Sequence, residues 1–81
     1  MVQKLPAGWR VELLGLISSV RFSNEEGRLL VWGDGEWSMG NGHIMMRARG
    51  VPKASDMKTA RVVGTAFLSS LEAVATNRRL Q

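Results

Sequence analysis

Basic side chains at alternate positions of one short segment are the residues of this sequence best suited to bind a charged partner. If residues 43–49 form a strand, side chains at every second position share one face. That face, extended by the following loop, carries a cationic stripe of His43, Met45, Arg47, Arg49 and Lys53. Arginine and lysine bind phosphates and release counterions, so the stripe suits a nucleic-acid backbone. An ordinary solvated strand face is the alternative.

The three tryptophans, Trp9, Trp32 and Trp37, are the second group of interest. Alternation puts Trp32 on the face of Leu30 and Trp37 on the face of Met39. An exposed tryptophan beside arginines can stack on a base or anchor a protein interface, so Trp32 and Trp37 are candidate binding residues. The alternative is that the indoles supply apolar area to a small core.

Residues for catalysis or metal binding are sparse. The chain has one histidine, His43, and no cysteine, which excludes thiolate and multi-histidine metal sites. Turns and solvent-facing positions explain its seven carboxylates, which lack the loop spacing of a calcium site. The glycines around Asp34 and Asn41 lack the lysine and hydroxyl of a phosphate-binding loop. The sequence therefore predicts no enzyme, no cofactor and no metal.

The first half of the chain has the two-residue period of β-strands. Residues 9–22 alternate in polarity, with a change of phase after Gly15 that we interpret as a β-bulge or a close backbone approach within the strand. Turn signals follow at Asn24-Glu25-Glu26-Gly27, Asp34-Gly35 and Asn41-Gly42. The segments between and after them, 28–33, 36–40 and 43–49, suit strands. The expected sheet is an antiparallel meander of about four strands.

A period of three and four residues replaces the alternation after Pro52. Ser55 is the predicted N-cap of one amphipathic helix over residues 55–77. A rival interpretation makes the β-branched segment Thr59–Phe67 a fifth strand followed by a short helix. In the helical interpretation, Ala60 and Gly64 form a smooth patch where the helix lies close to the sheet.

These elements predict a single α+β domain over residues 1–81, built as two layers. It has an irregular lead-in at residues 1–8, a β-meander at 9–49 and a C-terminal amphipathic helix at 55–77 packed against the sheet. We expect the sheet face that carries Ile44 and Met46 to meet the apolar helix face of Val63, Phe67, Leu71 and Val74.

Composition limits the class of protein. The chain has 81 residues, of which 44% are hydrophobic, as expected of one small globular domain. Its formal net charge of +4 favours anionic partners. No apolar run is long enough to cross a bilayer, and the first residues lack the pattern of a secretion signal. With no cysteine, these features predict a cytoplasmic protein that does not engage a membrane.

Two functions are consistent with these features. The first is a small non-catalytic binding protein whose basic sheet face engages nucleic acid or a nucleoprotein complex. The second is a phage- or plasmid-type inhibitor or adaptor, for example anti-defence or anti-CRISPR-like, that binds an acidic host protein. A sheet backed by one helix occurs among small DNA-binding modules and mobile-element inhibitors alike, so the fold does not separate them. A homodimer is a further candidate assembly.

Overall fold

The chain folds into one antiparallel sheet with a single long helix across one of its faces. The computed structural model describes residues 4–80. Its elements are β1 (Trp9–Leu14), β2 (Ser19–Asn24), β3 (Leu29–Gly33), β4 (Glu36–Gly40), β5 (Met45–Arg47) and α1 (Met57–Leu80). The predicted α+β meander with a C-terminal helix is confirmed, with five strands instead of about four. Residues 1–3 of the predicted lead-in lie outside the described residues.

Each strand pairs with its neighbour in sequence, so the sheet order is β1-β2-β3-β4-β5. Partners directly across the ladders share a face, and the register therefore sorts the side chains into two sets. The core face, which α1 covers, carries Trp9, Val11, Val20, Phe22, Leu30, Trp32, Trp37 and Met39. The opposite, open face carries Arg10, Glu12, Arg21, Val31, Glu36, Ser38 and Arg47.

The additional strand comes from the segment around Gly15, where the bulge prediction was wrong. Gly15–Ile17 forms a 3-10 turn, and Ser18 adopts a left-handed conformation with φ of 48°. The chain thereby reverses, and Leu14 at the end of β1 pairs with Ser19 at the start of β2. A four-residue hairpin loop also changes the phase of the alternation. The phase change is real, and a chain reversal causes it.

The other hairpins form near the predicted turns. Asp34 and Gly35 have φ values of 54° and 78°, as a two-residue type I′ turn between β3 and β4 requires. Asn24 closes the β2–β3 hairpin, because its Oδ1 accepts two backbone N–H groups of that loop at 3.0 and 2.8 Å. Between β4 and β5 the predicted two-residue turn at Asn41-Gly42 is instead a four-residue loop. There the Asn41 Oδ1 accepts two backbone N–H groups, both at 3.0 Å.

α1 is a single unbroken helix, so the rival fifth strand at Thr59–Phe67 is not formed. It begins at Met57, and its N-cap is Asp56 instead of the predicted Ser55. The Asp56 Oδ1 accepts the backbone N–H of Thr59 at 2.7 Å. That N–H is one of the groups at a helix start that have no partner within the helix.

The Asp56 cap predicts an acid-dependent loss of stability. The hydrogen bond from the Thr59 backbone, followed by one from the Thr59 side chain, lowers the pKa of Asp56 below its ordinary value of 3.8. The pKa of Asp56 is lower in the folded state than in the unfolded state, so the ionised cap stabilises the fold fully at pH values above 3.8. This stabilisation is lost as the pH falls through the lowered pKa of the folded state. Asp56→Asn keeps an acceptor that does not titrate. At neutral pH we expect wild type to melt at a higher temperature than Asp56→Asn. This difference in melting temperature should shrink as the pH is lowered to strongly acidic values. A constant difference would contradict the account.

The core lies between α1 and the core face. Phe22, Leu30 and Leu68 are completely buried within it. The helix positions that reach the sheet are spaced four residues apart, at Ala60, Gly64 and Leu68. A β-carbon on Gly64 would run into the Phe22 ring and lie 3.0 Å from the Trp37 ring. The predicted close approach at Ala60 and Gly64 is therefore confirmed.

The predicted contact of the helix with Ile44 and Met46 was wrong. These side chains are 67% and 69% exposed, and Val74 on the helix is 50% exposed. α1 lies mainly against β2 and β3, whereas β5 is at the border of the sheet. The buried line of the helix is also rotated toward Leu68, which leaves three of the predicted core residues only partly buried, namely Val63, Phe67 and Leu71.

Candidate functional site

The open face is the side of the sheet that the helix leaves uncovered. One row of side chains crosses all five strands on it, in the order Glu12, Arg21, Val31, Ser38 and Arg47. Arg10 and Glu36 occupy the neighbouring rows. The charged side chains of this face are thus three arginines and two glutamates, which leaves a small excess of positive charge.

Arg47 is the one member of the cationic stripe that is both on a strand and charged. Its Nη2 lies 2.9 Å from Oε1 of Glu36, and both side chains are about two-thirds exposed. Exposed ion pairs contribute little free energy, because water already solvates both partners. An arriving phosphate can therefore take the guanidinium of Arg47 at small cost.

Arg10 and Arg21 belong to the same face, although neither was among the binding residues predicted from the sequence. Arg21 is directly across from Glu12, and the Nε of Arg10 donates to the Ser23 Oγ at 3.2 Å. Both arginines remain exposed. The signal was present in the sequence, since each occupies a position that alternates with apolar residues. The mistaken continuation of the first strand past Gly15 hid their common face.

The remaining basic candidates lie beyond the ends of β5. His43 is exposed in the β4–β5 loop, and Arg49 and Lys53 are exposed in the segment between β5 and α1. Of the predicted stripe, only Met45 and Arg47 therefore stand on the sheet itself. The others extend its basic character past the β5 edge.

The expectation that Trp32 and Trp37 offer exposed rings has to be corrected. Both lie on the core face, and each is only 4% exposed. Trp37 is further held by its Nε1, which donates to the Pro52 carbonyl at 3.1 Å. A buried indole cannot stack on a base without opening the core. The two tryptophans thus supply apolar area to the core, which was the alternative interpretation of these residues.

A shallow apolar groove of about 420 Å³ lies on the other side of the molecule, between α1 and the segment that precedes it. Its lining is Gly50, Pro52, Val62, Val63, Ala66, Phe67 and Ser70. Ser70 is the only lining residue with a polar side chain, so the groove offers no group for acid–base chemistry.

Some of the most exposed apolar side chains lie in two hairpin loops, and others lie on β1, β5 and α1. Leu16 and Ile17 at the β1–β2 tip are fully and 69% exposed, and Ile44 at the β4–β5 loop is 67% exposed.

Within residues 4–80, no three histidine, aspartate or glutamate side chains come together where they could hold a metal ion. No helix in the described part of the chain has the length and apolarity needed to cross a membrane.

Comparison with known proteins adds no relative to this picture. The chain matches no protein-family model, no curated protein and no solved structure. The open face and the basic residues beside β5 are therefore the features from which a function can be inferred.

Proposed function

We propose that this protein is a small non-catalytic binding module whose open sheet face engages nucleic acid, alone or within a nucleoprotein complex. The observation that carries the proposal is the placement of Arg10, Arg21 and Arg47 on the uncovered face, with Arg49 and Lys53 exposed beyond its β5 edge. Arginine and lysine at exposed positions are the side chains that bind a phosphate backbone.

The proposed contact is with phosphates and not with stacked bases. No aromatic side chain stands on the open face of the described chain, because both Trp32 and Trp37 are on the other side. Proteins that bind single strands by stacking need exposed rings. We therefore expect binding that is sensitive to salt and tolerant of sequence.

The spacing of the arginines fits more than one phosphate. Arg21 on β2 and Arg47 on β5 are three strand spacings apart, which corresponds to about 14 Å. Two guanidinium groups at this separation contact different phosphates of one backbone or of two facing strands. A five-stranded sheet bordered by loops offers room for such an extended contact.

Charge reversal at the β5 edge tests the proposal. Arg47→Glu with Arg49→Glu should abolish binding to generic duplex DNA or to RNA at low salt, because attraction to phosphates becomes repulsion. Wild-type affinity should fall steeply as salt rises. The slope of log affinity against log salt concentration should become shallower by about 1 for each phosphate contact that a variant loses. Fluorescence anisotropy across a salt series measures both quantities.

A control with the same change in net charge is available on the helix. Lys58 and Arg61 are exposed on α1, away from the open face. Lys58→Glu with Arg61→Glu should keep most of the affinity. Equal losses in the two double variants would indicate a response to net charge alone. Binding that survives reversal at Arg47 and Arg49, with weak salt dependence, would reject the proposal.

A protein-binding inhibitor or adaptor is the second candidate function. The exposed Leu16 and Ile17 at the β1–β2 tip favour it, because apolar side chains in such positions commonly anchor protein interfaces. A complex held by these side chains would depend little on salt. Capture from a bacterial lysate with and without nuclease separates the two functions, since nuclease would release partners held through nucleic acid.

A cytoplasmic location is part of the proposal. The chain contains no cysteine and therefore needs no oxidising compartment for folding. Nucleic acid and nucleoprotein complexes are available there.

A further inference from the structure

We propose that β1 pairs with β1 of a second copy of this chain, which joins the two sheets into one continuous sheet in a symmetric dimer. The inference concerns the β1 edge, which shares Arg10 with the proposed nucleic-acid contact, and it does not depend on that contact. The sheet has two edges, formed by β1 and β5. Each edge strand leaves one row of backbone groups without a strand partner.

The β1 edge is the longer and the more regular of the two. β1 has six residues, contains no proline and pairs with β2 without a skipped position. β5 has only three residues. Proteins usually protect an edge by making it short, bulged or proline-containing. β1 has none of these three protections. Charged side chains also protect edges, but the two on β1, Arg10 and Glu12, have opposite signs that a second copy can match.

The hydrogen-bonding pattern shows which groups of β1 point outward. The Asn24 N–H donates to the Arg28 carbonyl, which directs position 24 of β2 toward β3. Bonded pairs alternate along an antiparallel ladder, so the odd-numbered residues of β2 bond to β1. Their partners in β1 are the even-numbered residues. The backbone groups of Val11 and Leu13 therefore point away from β2. No hydrogen bond from a described loop or helix residue reaches their backbone groups.

Charge selects one register for the second copy. Residues that meet across two strands must share a face, so a symmetric pairing is centred on one residue. Centring on Arg10 or on Glu12 would place like charges opposite each other, which destabilises a pairing. Centring on Val11 places Arg10 opposite Glu12 of the second copy, twice. It also brings Leu13, which is 46% exposed, opposite Trp9 of the second copy on the core face.

The same register pairs the outward backbone groups of Val11 and the outward N–H of Leu13, whereas the Trp9 N–H keeps its bond to the Pro6 carbonyl. The two Val11 residues exchange two N–H···O=C bonds, and each Leu13 N–H reaches a Trp9 carbonyl of the other copy. The described part of the lead-in is held near the helix at Lys4, because the Ser69 hydroxyl of α1 donates to the Lys4 carbonyl at 3.1 Å. Among the described residues, this segment meets the β1 edge at Trp9, whose N–H donates to the Pro6 carbonyl at 3.1 Å, and it leaves the edge open at Val11 and Leu13.

Sedimentation equilibrium without nucleic acid tests the inference, and we expect a species of twice the 8.9 kDa chain mass at high micromolar concentration. Arg10→Glu creates two like-charge pairs and should weaken the dimer about tenfold. Adding Glu12→Arg to that variant restores two opposite-charge pairs and should recover the affinity. Circular dichroism melting confirms that each variant is folded.

A backbone variant gives an independent test. Leu13→Pro removes an outward N–H without breaking the β1–β2 ladder, which an edge strand tolerates. It should be monomeric where the control Leu13→Ala, which keeps the N–H, still dimerises. A wild type that stays monomeric would overturn the inference. A dimer insensitive to Arg10→Glu and Leu13→Pro, or one that the double charge swap does not restore, would overturn it as well.

Discussion

Gly64→Ala should destabilise the domain, although the same change in an exposed helix usually stabilises by about 1 kcal/mol. The new β-carbon would overlap the ring of Phe22 and lie 3.0 Å from the ring of Trp37. Both rings are buried, at 0% and 4% exposure, and have little space into which they could move. Overpacking of this kind costs about 1 to 3 kcal/mol and sometimes more. Urea denaturation should therefore show a lower free energy of unfolding.

Gly15→Ala is the matched control for this prediction. Gly15 lies in the β1–β2 loop, where a β-carbon would meet no atom within 4 Å and where φ is not positive. Its replacement should leave stability nearly unchanged. If Gly64→Ala proved as stable as wild type, α1 would not lie close to Phe22 and the packing described above would be incorrect.

Leu68→Ala should be the most damaging single truncation on the helix. Leu68 is fully buried at the centre of the core, so its removal leaves an enclosed cavity and costs about 2 to 5 kcal/mol. A loss of that size is a large part of the total stability of a small domain. Thermal melting should show a strongly lowered transition or no folded state.

Phe67→Ala is the control for this prediction, because Phe67 is the neighbouring large apolar residue on the helix and its truncation should cost less stability than that of Leu68. Phe67 is only partly buried and lines the open groove beside Pro52. Truncation there enlarges a groove that water can enter, so the cost per removed atom should be smaller than at Leu68. A larger loss of stability from Phe67→Ala than from Leu68→Ala would contradict the packing described here. It would support the helix orientation predicted from the sequence, in which Phe67 faces the sheet.

Local signals in the sequence predicted much of this fold. Asp34-Gly35 fixed one hairpin because few other dipeptides adopt two positive φ angles. The three- and four-residue period after Pro52 outweighed the β-branched content of Thr59–Phe67, because a long helix buries one continuous side. The pair Ala60 and Gly64 indicated the close approach to the sheet.

Tertiary packing decided the features that sequence patterns missed. The loop Gly15–Ser18 contains apolar residues and no common turn dipeptide, so its reversal looked like a bulge. Gly64 lies close to the Phe22 ring, which sets Leu68 toward the sheet, whereas the spacing of apolar residues had favoured Phe67 and Leu71. At the helix start, Ser55 and Asp56 are both good caps, and only the geometry selects Asp56.

The candidate site was predicted in part for the same reasons. Alternation placed Met45 and Arg47 correctly on the open face. It could not show that β5 ends at Arg47, which moves His43 and Arg49 off the sheet. The partnership of Arg47 with Glu36, and the shared face of Arg10 and Arg21, depend on a register across several strands. Sequence spacing within one strand does not contain that information.

A titration of isotope-labelled protein with generic duplex DNA, followed by backbone amide chemical shifts, tests the central claim most directly. The account predicts shifts at Arg21, Arg47, Arg49 and their strand neighbours that diminish as salt is raised, while the exposed side of α1 around Lys58 stays unchanged. The claim would be contradicted by a spectrum that does not respond to nucleic acid, or by shifts confined to α1 or to the Leu16–Ile17 tip.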